Sequence, residues 1–191
     1  MTYNTFCCIR LETPARFERH RAGIQSLLAC YQSILLDDFS LPPREASPEA
    51  ATDLSGWLTE NTSSCLPWVW VLHDAGQNLY ALAVLSQVIP GRHAYLHGVS
   101  RPDWPVSQAS PRHRQAVLTR FAQTVLKDAF DTGDFHKIKA EFEADNLGAR
   151  GFCLRMGFSR EACFKRDNRI RGQWRDVAVY SLFRERFMER L

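Results

Sequence analysis

The chain has 191 residues, 45% of them hydrophobic and 24% charged, a size and balance that suit one domain with its own core. A net charge of +3 drawn from mixed signs is too small to nominate a nucleic acid as partner. No apolar segment preceded by basic residues marks a secretion signal at the N-terminus, and "YALAVLSQVI" is too short to span a bilayer. A cytoplasmic protein with no membrane partner is expected. The cysteines Cys7, Cys8, Cys30, Cys65, Cys153 and Cys163 form no C-x-x-C pair and no Cys/His cluster at zinc spacing. No metal is expected, and buried free thiols are favoured over a disulfide framework.

In chain order, "TPARFERHRAGIQSLLACYQSILLDDF" opens with a Thr-Pro helix start and spaces Phe17, Ile24, Leu27, Leu28, Tyr31, Ile34 and Leu35 for one helical face. The proline-punctuated "SLPPREASPEAA" reads as a loop, and a second helix is predicted from Ser47-Pro48 past Leu54 and Trp57. "WVWVLHDAGQNLYALAVLSQVIPGRHAYLHGVS" is three strand-like runs broken by "DAGQN" and "PGR", an antiparallel meander. After the irregular "RPDWPVSQA", Ser110-Pro111 starts a helix whose buried face carries Val117, Leu118, Phe121, Ala122, Val125, Leu126 and Ala129, ending before Gly133.

"HKIKAEFEAD" alternates, with Ile138, Ala140 and Phe142 on one face and Lys137, Lys139, Glu141 and Glu143 on the other, as a strand does. A helix follows, with Asp145 as its expected N-cap and Gly157 just beyond its end. Strands "SREACFKRD" and "QWRDVAVYSLF", joined by the turn-like "NRIRG", close the chain. A strand–helix–strand unit after a meander implies an α+β fold with a mixed sheet, in which "HAYLHGVS" and "HKIKAEF" are parallel neighbours.

This order, with "DNLGARGFCLRMGF" and "GQWRDVAVYSLF", resembles the GNAT superfamily of acyl-CoA-dependent N-acyltransferases. The "DNLGARGFCLRMGF" stretch is similar to the family's N-x-x-A/S-x-x-x-Y-x-x-x-G-F run. The "GQWRDVAVYSLF" stretch resembles the G-x-x-x-D-x-x-x-Y-x-L ending of the branch that acetylates ribosomal-protein N-termini and related amines. The resemblance covers residues 136–183 by motif and 68–130 by element order. It implies a single domain over 1–191, with a helical acceptor side in 1–65 and the sheet and cofactor core in 66–191. It also implies a mostly antiparallel sheet whose central parallel pair splays around acetyl-CoA. Asn146 would then bond the cofactor's amide-bearing arm, with Arg150 in the same cofactor set. The N–H groups around Gly98 and Val99 would polarise the thioester carbonyl.

Two departures stand out. Where the family places a glycine-rich pyrophosphate loop, this chain has "SPRHRQAVL", without glycine. Either Arg112, His113 and Arg114 replace the backbone contacts with charged side chains, or side chains fill the slot and block the cofactor. Basic residues at a helix N-terminus oppose the helix dipole, which favours an awaited anion. Cys153 stands where many members carry a tyrosine that protonates the departing thiolate. It is either that acid or a small core residue, solvent then supplying the proton.

Acyl transfer to an amine needs a base. His97, with an intrinsic pKa near ~6.5, and Glu141 are the candidates, with Asp103 weaker. Asp176 and Tyr180 share a face of the last strand, in the site wall or in the sheet's own structure. Trp57, Trp104, Asp37 and Asp38 would rim an acceptor groove. The reading is an N-acyltransferase that passes an acetyl group from acetyl-CoA to a primary amine, on a small molecule or a protein N-terminus. A homodimer is allowed. The rival is a GNAT-like binding or structural module that has lost acyl-CoA use. A nucleic-acid-modifying enzyme would need more of a basic face than "REACFKRDNRIRGQWR" provides.

Overall fold

The computed structural model describes residues 6–29, 63, 65–102, 104, 110–170 and 172–190. In chain order the described elements are β1 (Cys7–Arg10), α1 (Pro14–Ala29), β2 (Val69–His73), β3 (Leu79–Ile89), β4 (His93–Ser100), α2 (Pro111–Gly133), β5 (Lys137–Glu143), α3 (Leu147–Met156), β6 (Ser159–Ile170), β7 (Gln173–Phe183) and α4 (Arg184–Met188). The helix predicted from Ser47-Pro48, the loop before it, and the extension of α1 through Leu35 lie outside the described residues.

The strands form one seven-stranded sheet in the order β1-β2-β3-β4-β5-β7-β6. β1 pairs antiparallel with β2, β2 with β3, β5 with β7 and β6 with β7; β4 and β5 are parallel. The mixed α+β class and the parallel pair are as the sequence predicts. Three local expectations need correction. The N-terminal region contributes a strand, β1, as well as a helix; its "CCIR" is too short and too mixed for a periodic signal. β6 continues through Ile170, because "NRIRG" turns only at its end, where Gly172 takes φ 75°. The N-cap of α3 is Asn146, whose side chain accepts from the Ala149 N–H at 3.0 Å, and not Asp145.

Two compact units divide the described residues. One draws on 6–29, 63, 65–84, 98–102, 104 and 110–125, the other on 85–97, 126–170 and 172–190. In the first, α1 starts as Thr13 caps the Arg16 N–H at 3.3 Å and buries Phe17, Ile24, Leu27 and Leu28. The β2–β3 turn is built on Asp74. Its carboxylate accepts from Gly76 N at 2.8 Å, Asn78 N at 3.0 Å and the Tyr80 hydroxyl at 3.0 Å. Burial alone would raise this carboxyl, but the bonds from Asn78, Tyr80 and Gly76 outweigh it and hold the pKa below 3.8.

In the second unit, Leu126, Phe130, Phe135, Ile138, Met156, Phe158, Leu182 and Phe187 form the core. Each contributes about 1.5–3 kcal/mol on burial. Gly133 ends α2 against the Phe135 ring, so closely that a β-carbon there would sit 2.1 Å from Cε2. Gly157 closes α3 at φ 93°, a left-handed conformation that glycine adopts without strain. Phe158 N then bonds Cys153 O at 2.9 Å as the chain turns into β6.

Candidate active site

The parallel contact between β4 and β5 is brief. It joins His93 to Lys137, Ala94 to Ile138 and Tyr95 to Lys139, although β4 runs to Ser100 and β5 to Glu143. On its other edge β5 stays paired with β7 throughout, from Lys137↔Phe183 to Glu143↔Val177. The two parallel strands therefore fork after Tyr95 and Lys139, and the backbone of β5 beyond Lys139 has a ladder on one edge only.

Alternation decides what stands at the fork. Ile138 and Ala140 are buried, and Phe142 stacks on Tyr180 with ring centroids 5.1 Å apart. Lys137, Lys139, Glu141 and Glu143 take the opposite face. There the Lys139 Nζ donates to the Tyr95 hydroxyl at 3.3 Å, and Glu141 follows Lys139 on the same face of the strand. Burial pushes the Glu141 carboxyl above 4.5, outweighing the lowering by Lys139 and Tyr95. That is the direction a general base needs. Two strands along, Lys137 pairs with Glu161, which also accepts from the buried Ser181.

His97 lies two residues beyond Tyr95 on the same face of β4, with its Nε2 2.7 Å from the Ser86 hydroxyl. The residue is exposed, yet enough protein surrounds the ring to lower its pKa below 6.5. Gly98 and Val99 follow directly on the same strand.

At the start of α2, Ser110 Oγ accepts the His113 N–H at 3.3 Å, the cap the sequence predicts. Arg112 and His113 are exposed on the first turn. Arg114 turns back instead. Its guanidinium donates to Arg101 O at 2.7 Å, Pro102 O at 3.3 Å and Ser100 Oγ at 3.3 Å, and stands 5.7 Å from the Trp104 ring centroid. Of the three basic residues, one is thus bound to carbonyls that follow β4.

Asn146, the N-cap of α3, is exposed, and its side-chain oxygen is taken by the Ala149 N–H. Arg150 is exposed one turn on. Cys153 is buried, and burial pushes its thiol up to about 12. A thiol at that value donates a proton poorly to an ordinary thiolate, whose acid lies near ~8.5. Asp176 accepts from Lys165 Nζ at 2.6 Å and from the Arg166 N–H at 3.0 Å, pinning the bulge in β6 where Arg166 adopts φ 50°. Its role is local to the β6–β7 ribbon.

Sequence reasoning missed Tyr95 and Lys139. Their signal was available in the alternation of "HAYLHGVS" and "HKIKAEF", but joining them required the parallel register. Asp103, Trp57, Asp37 and Asp38 lie outside the described residues; Trp104 is buried beside Tyr80, ring centroids 5.0 Å apart. Among the described residues no group of three or more His, Cys, Asp or Glu side chains could hold a metal, and no helix is long and apolar enough to cross a membrane.

No protein-family model matches this sequence, and no curated protein does. Solved structures do resemble it. A ribosomal-protein-S5-alanine acetyltransferase from Vibrio fischeri superposes with a TM-score of 0.67 at 14% identity, over 98% of this chain and 97% of that one. An acetyltransferase of the GNAT family from Bacillus anthracis gives 0.62 at 15%, over 96% and 98%. A spermidine N-acetyltransferase from Vibrio cholerae, in complex with CoA and spermine, gives 0.60 at 16%, over 96% and 98%. At such identities the likeness is one of fold: the chain folds as these acetyltransferases do.

Proposed function

We propose that this chain is a cytoplasmic N-acyltransferase that moves an acetyl group from acetyl-CoA to a primary amine, on a small molecule or a protein N-terminus. The observation that carries the reading is the fork, where β4 and β5 part after Tyr95↔Lys139 with Glu141, its carboxyl raised by burial, just beyond on the polar face. Among the neighbours, one is named for a ribosomal-protein alanine and another for spermidine, the latter in complex with CoA. In the proposed site Glu141 takes the amine proton, and His97 is the second candidate for that role. The N–H groups of Gly98 and Val99 receive the developing oxyanion, since main-chain donors fixed in advance stabilise charge as it forms. Asn146 donates its amide to the cofactor arm, with Arg150 one turn on, and Arg112 and His113 on the first turn of α2 serve its phosphates. Cys153, buried and raised to about 12, serves the packing of α3, and solvent protonates the thiolate. An acceptor α-amine, near ~8, is easier to deprotonate than a lysine amine, near ~10.4.

One observation favours a second reading, a module that has lost acyl-CoA use. The first turn of α2 has no glycine, and Arg114 is occupied by its own neighbouring backbone. Calorimetric titration with acetyl-CoA, with desulfo- and dephospho-CoA as controls, decides between them, followed by a thiol-release assay over a panel of amines. Micromolar binding weakened by Arg112→Ala supports the enzyme. No heat at millimolar cofactor removes it and leaves the module.

A further inference from the structure

β3 and β4 are neighbours in the sheet, and between them Ser86 Oγ stands 2.7 Å from His97 Nε2, well within hydrogen-bond range. The residue after Ser86 interrupts the strand. Gln87 takes φ 46° inside β3, a left-handed backbone that a residue with a β-carbon adopts only under strain. Strain of this kind persists where the surroundings impose it, and it gathers at functional sites. Ser86 is half-buried and His97 exposed, so the serine anchors one end of the ring. Among the described residues His97 has no second hydrogen-bond partner. Tyr95 shares its face of β4, and Lys139 and Glu141 stand on the same side of β5, yet none of them is bonded to the ring. Ser86 alone therefore sets which nitrogen carries the proton.

A serine hydroxyl donates or accepts, and a neutral imidazole has one N–H and one lone pair. Two arrangements satisfy the contact. In the first the hydroxyl donates to Nε2, and Nδ1 carries the ring proton. In the second Nε2–H donates to Oγ, and Nδ1 is left bare. The outer nitrogen is a donor in one and an acceptor in the other. His97 immediately precedes Gly98 and Val99 on β4, the residues proposed to hold the thioester oxygen. An attacking amine must come within about 3–3.5 Å of that carbonyl carbon, and its hydrogens are donors. A bare Nδ1 matches them; a protonated one sets donor against donor.

We propose that Ser86 is a positioning residue that accepts from His97 Nε2–H and so leaves a bare Nδ1 to hold one N–H of a primary amine. The inference rests on the reading of the fork as an acyl-transfer site and keeps Glu141 as the base. A neutral primary amine has two N–H bonds besides the lone pair that attacks. One is held by Nδ1 and the other is left for the base. A secondary amine has a single N–H and cannot satisfy both, so the Ser86–His97 pair selects primary amines.

The test is a long-range ¹H–¹⁵N correlation spectrum of the intact protein labelled with ¹⁵N-histidine, at pH 8, with the His97 signals assigned by their loss in His97→Gln. The wild type is expected to carry the ring proton on Nε2. Ser86→Ala should move part of that population to Nδ1, and Ser86→Thr, which keeps a hydroxyl, should not. A wild-type ring protonated on Nδ1, or a population unmoved in Ser86→Ala, overturns the proposal. With an amine that is turned over, Ser86→Ala should raise the amine KM several-fold, with kcat and the KM for acetyl-CoA held within about twofold, the pattern of a lost binding contact. Ser86→Thr should restore the amine KM. N-methylation of that amine should cost the wild type more than it costs Ser86→Ala. An amine KM unmoved in Ser86→Ala overturns the proposal and leaves the acyl-transfer reading intact; no binding of acetyl-CoA at millimolar concentration overturns that reading and the proposal with it.

Discussion

β5 has two neighbours and treats them differently. With β7 it pairs along its whole length, burying Ile138 and Ala140 and stacking Phe142 on Tyr180. With β4 it pairs at three residues, then departs. The long side is made of apolar side chains whose removal costs stability. The short side carries Tyr95 and Lys139, half-buried, and Glu141 and His97, both exposed. The fork thus marks where backbone pairing gives way to polar side chains.

The sharpest way to separate the two sides is Glu141→Gln. On the proposed mechanism kcat falls by about 10²–10⁴, the usual worth of a positioned base, measured by thiol release. The same change should raise thermal stability at pH 7. A carboxyl whose folded pKa lies above its unfolded value favours folding below the unfolded value, and that contribution is lost as pH rises through the folded one. Burial places Glu141 in this class, so an amide there relieves a cost at neutral pH. Thermal melts at pH 7 and pH 4 should show the gain at the higher pH only; a loss at both would move Glu141 to the structural side.

The opposite signature is expected from Leu182→Ala on β7. Leu182 is fully buried and pairs with Ile138 in register. Truncation should cost about 2–5 kcal/mol, read by urea denaturation, with acetyl-CoA affinity of the folded fraction unchanged. Gly133→Ala, just before β5, should cost about 1–3 kcal/mol as the added carbon meets the buried Phe135 ring. The smallest effect sharpens the role of Asn146. Replacing it with Ala removes the α3 cap for about 1 kcal/mol. With Asn146→Asp the cap is kept, and only cofactor affinity should fall if the amide binds the acyl-CoA arm.

Much of this was legible in the sequence. The alternation of "HKIKAEFEAD" gave both faces of β5, and the strand–helix–strand order gave the parallel pair. What stayed hidden depends on register. Nothing in "HAYLHGVS" says that Tyr95, rather than His97, meets Lys139, because two residues on the same face are equivalent until the partner strand is aligned. The cap of α3 moved by one residue because Asp145 and Asn146 are both good N-caps, and Asp145 lies within 3.3 Å of the Arg175 guanidinium instead. Arg114 read as a phosphate ligand because helix position alone was visible. Its carbonyl partners at Arg101 and Pro102 come from a loop with no periodic pattern to place it.

The three-residue ladder also has a kinetic side. Tyr95 and Lys139 are separated by 44 positions of chain, whereas β6 and β7 meet across a tight turn. Loop closure of that span is costly and gains few rungs, so this contact should zip late in folding, after the β6–β7 ribbon. It should also be among the first to part in the native protein, since local opening follows the least-supported contacts. Backbone amides of residues 93–95 should then exchange with deuterium ahead of those of residues 178–182, and the spot where substrate is proposed to arrive would breathe most readily.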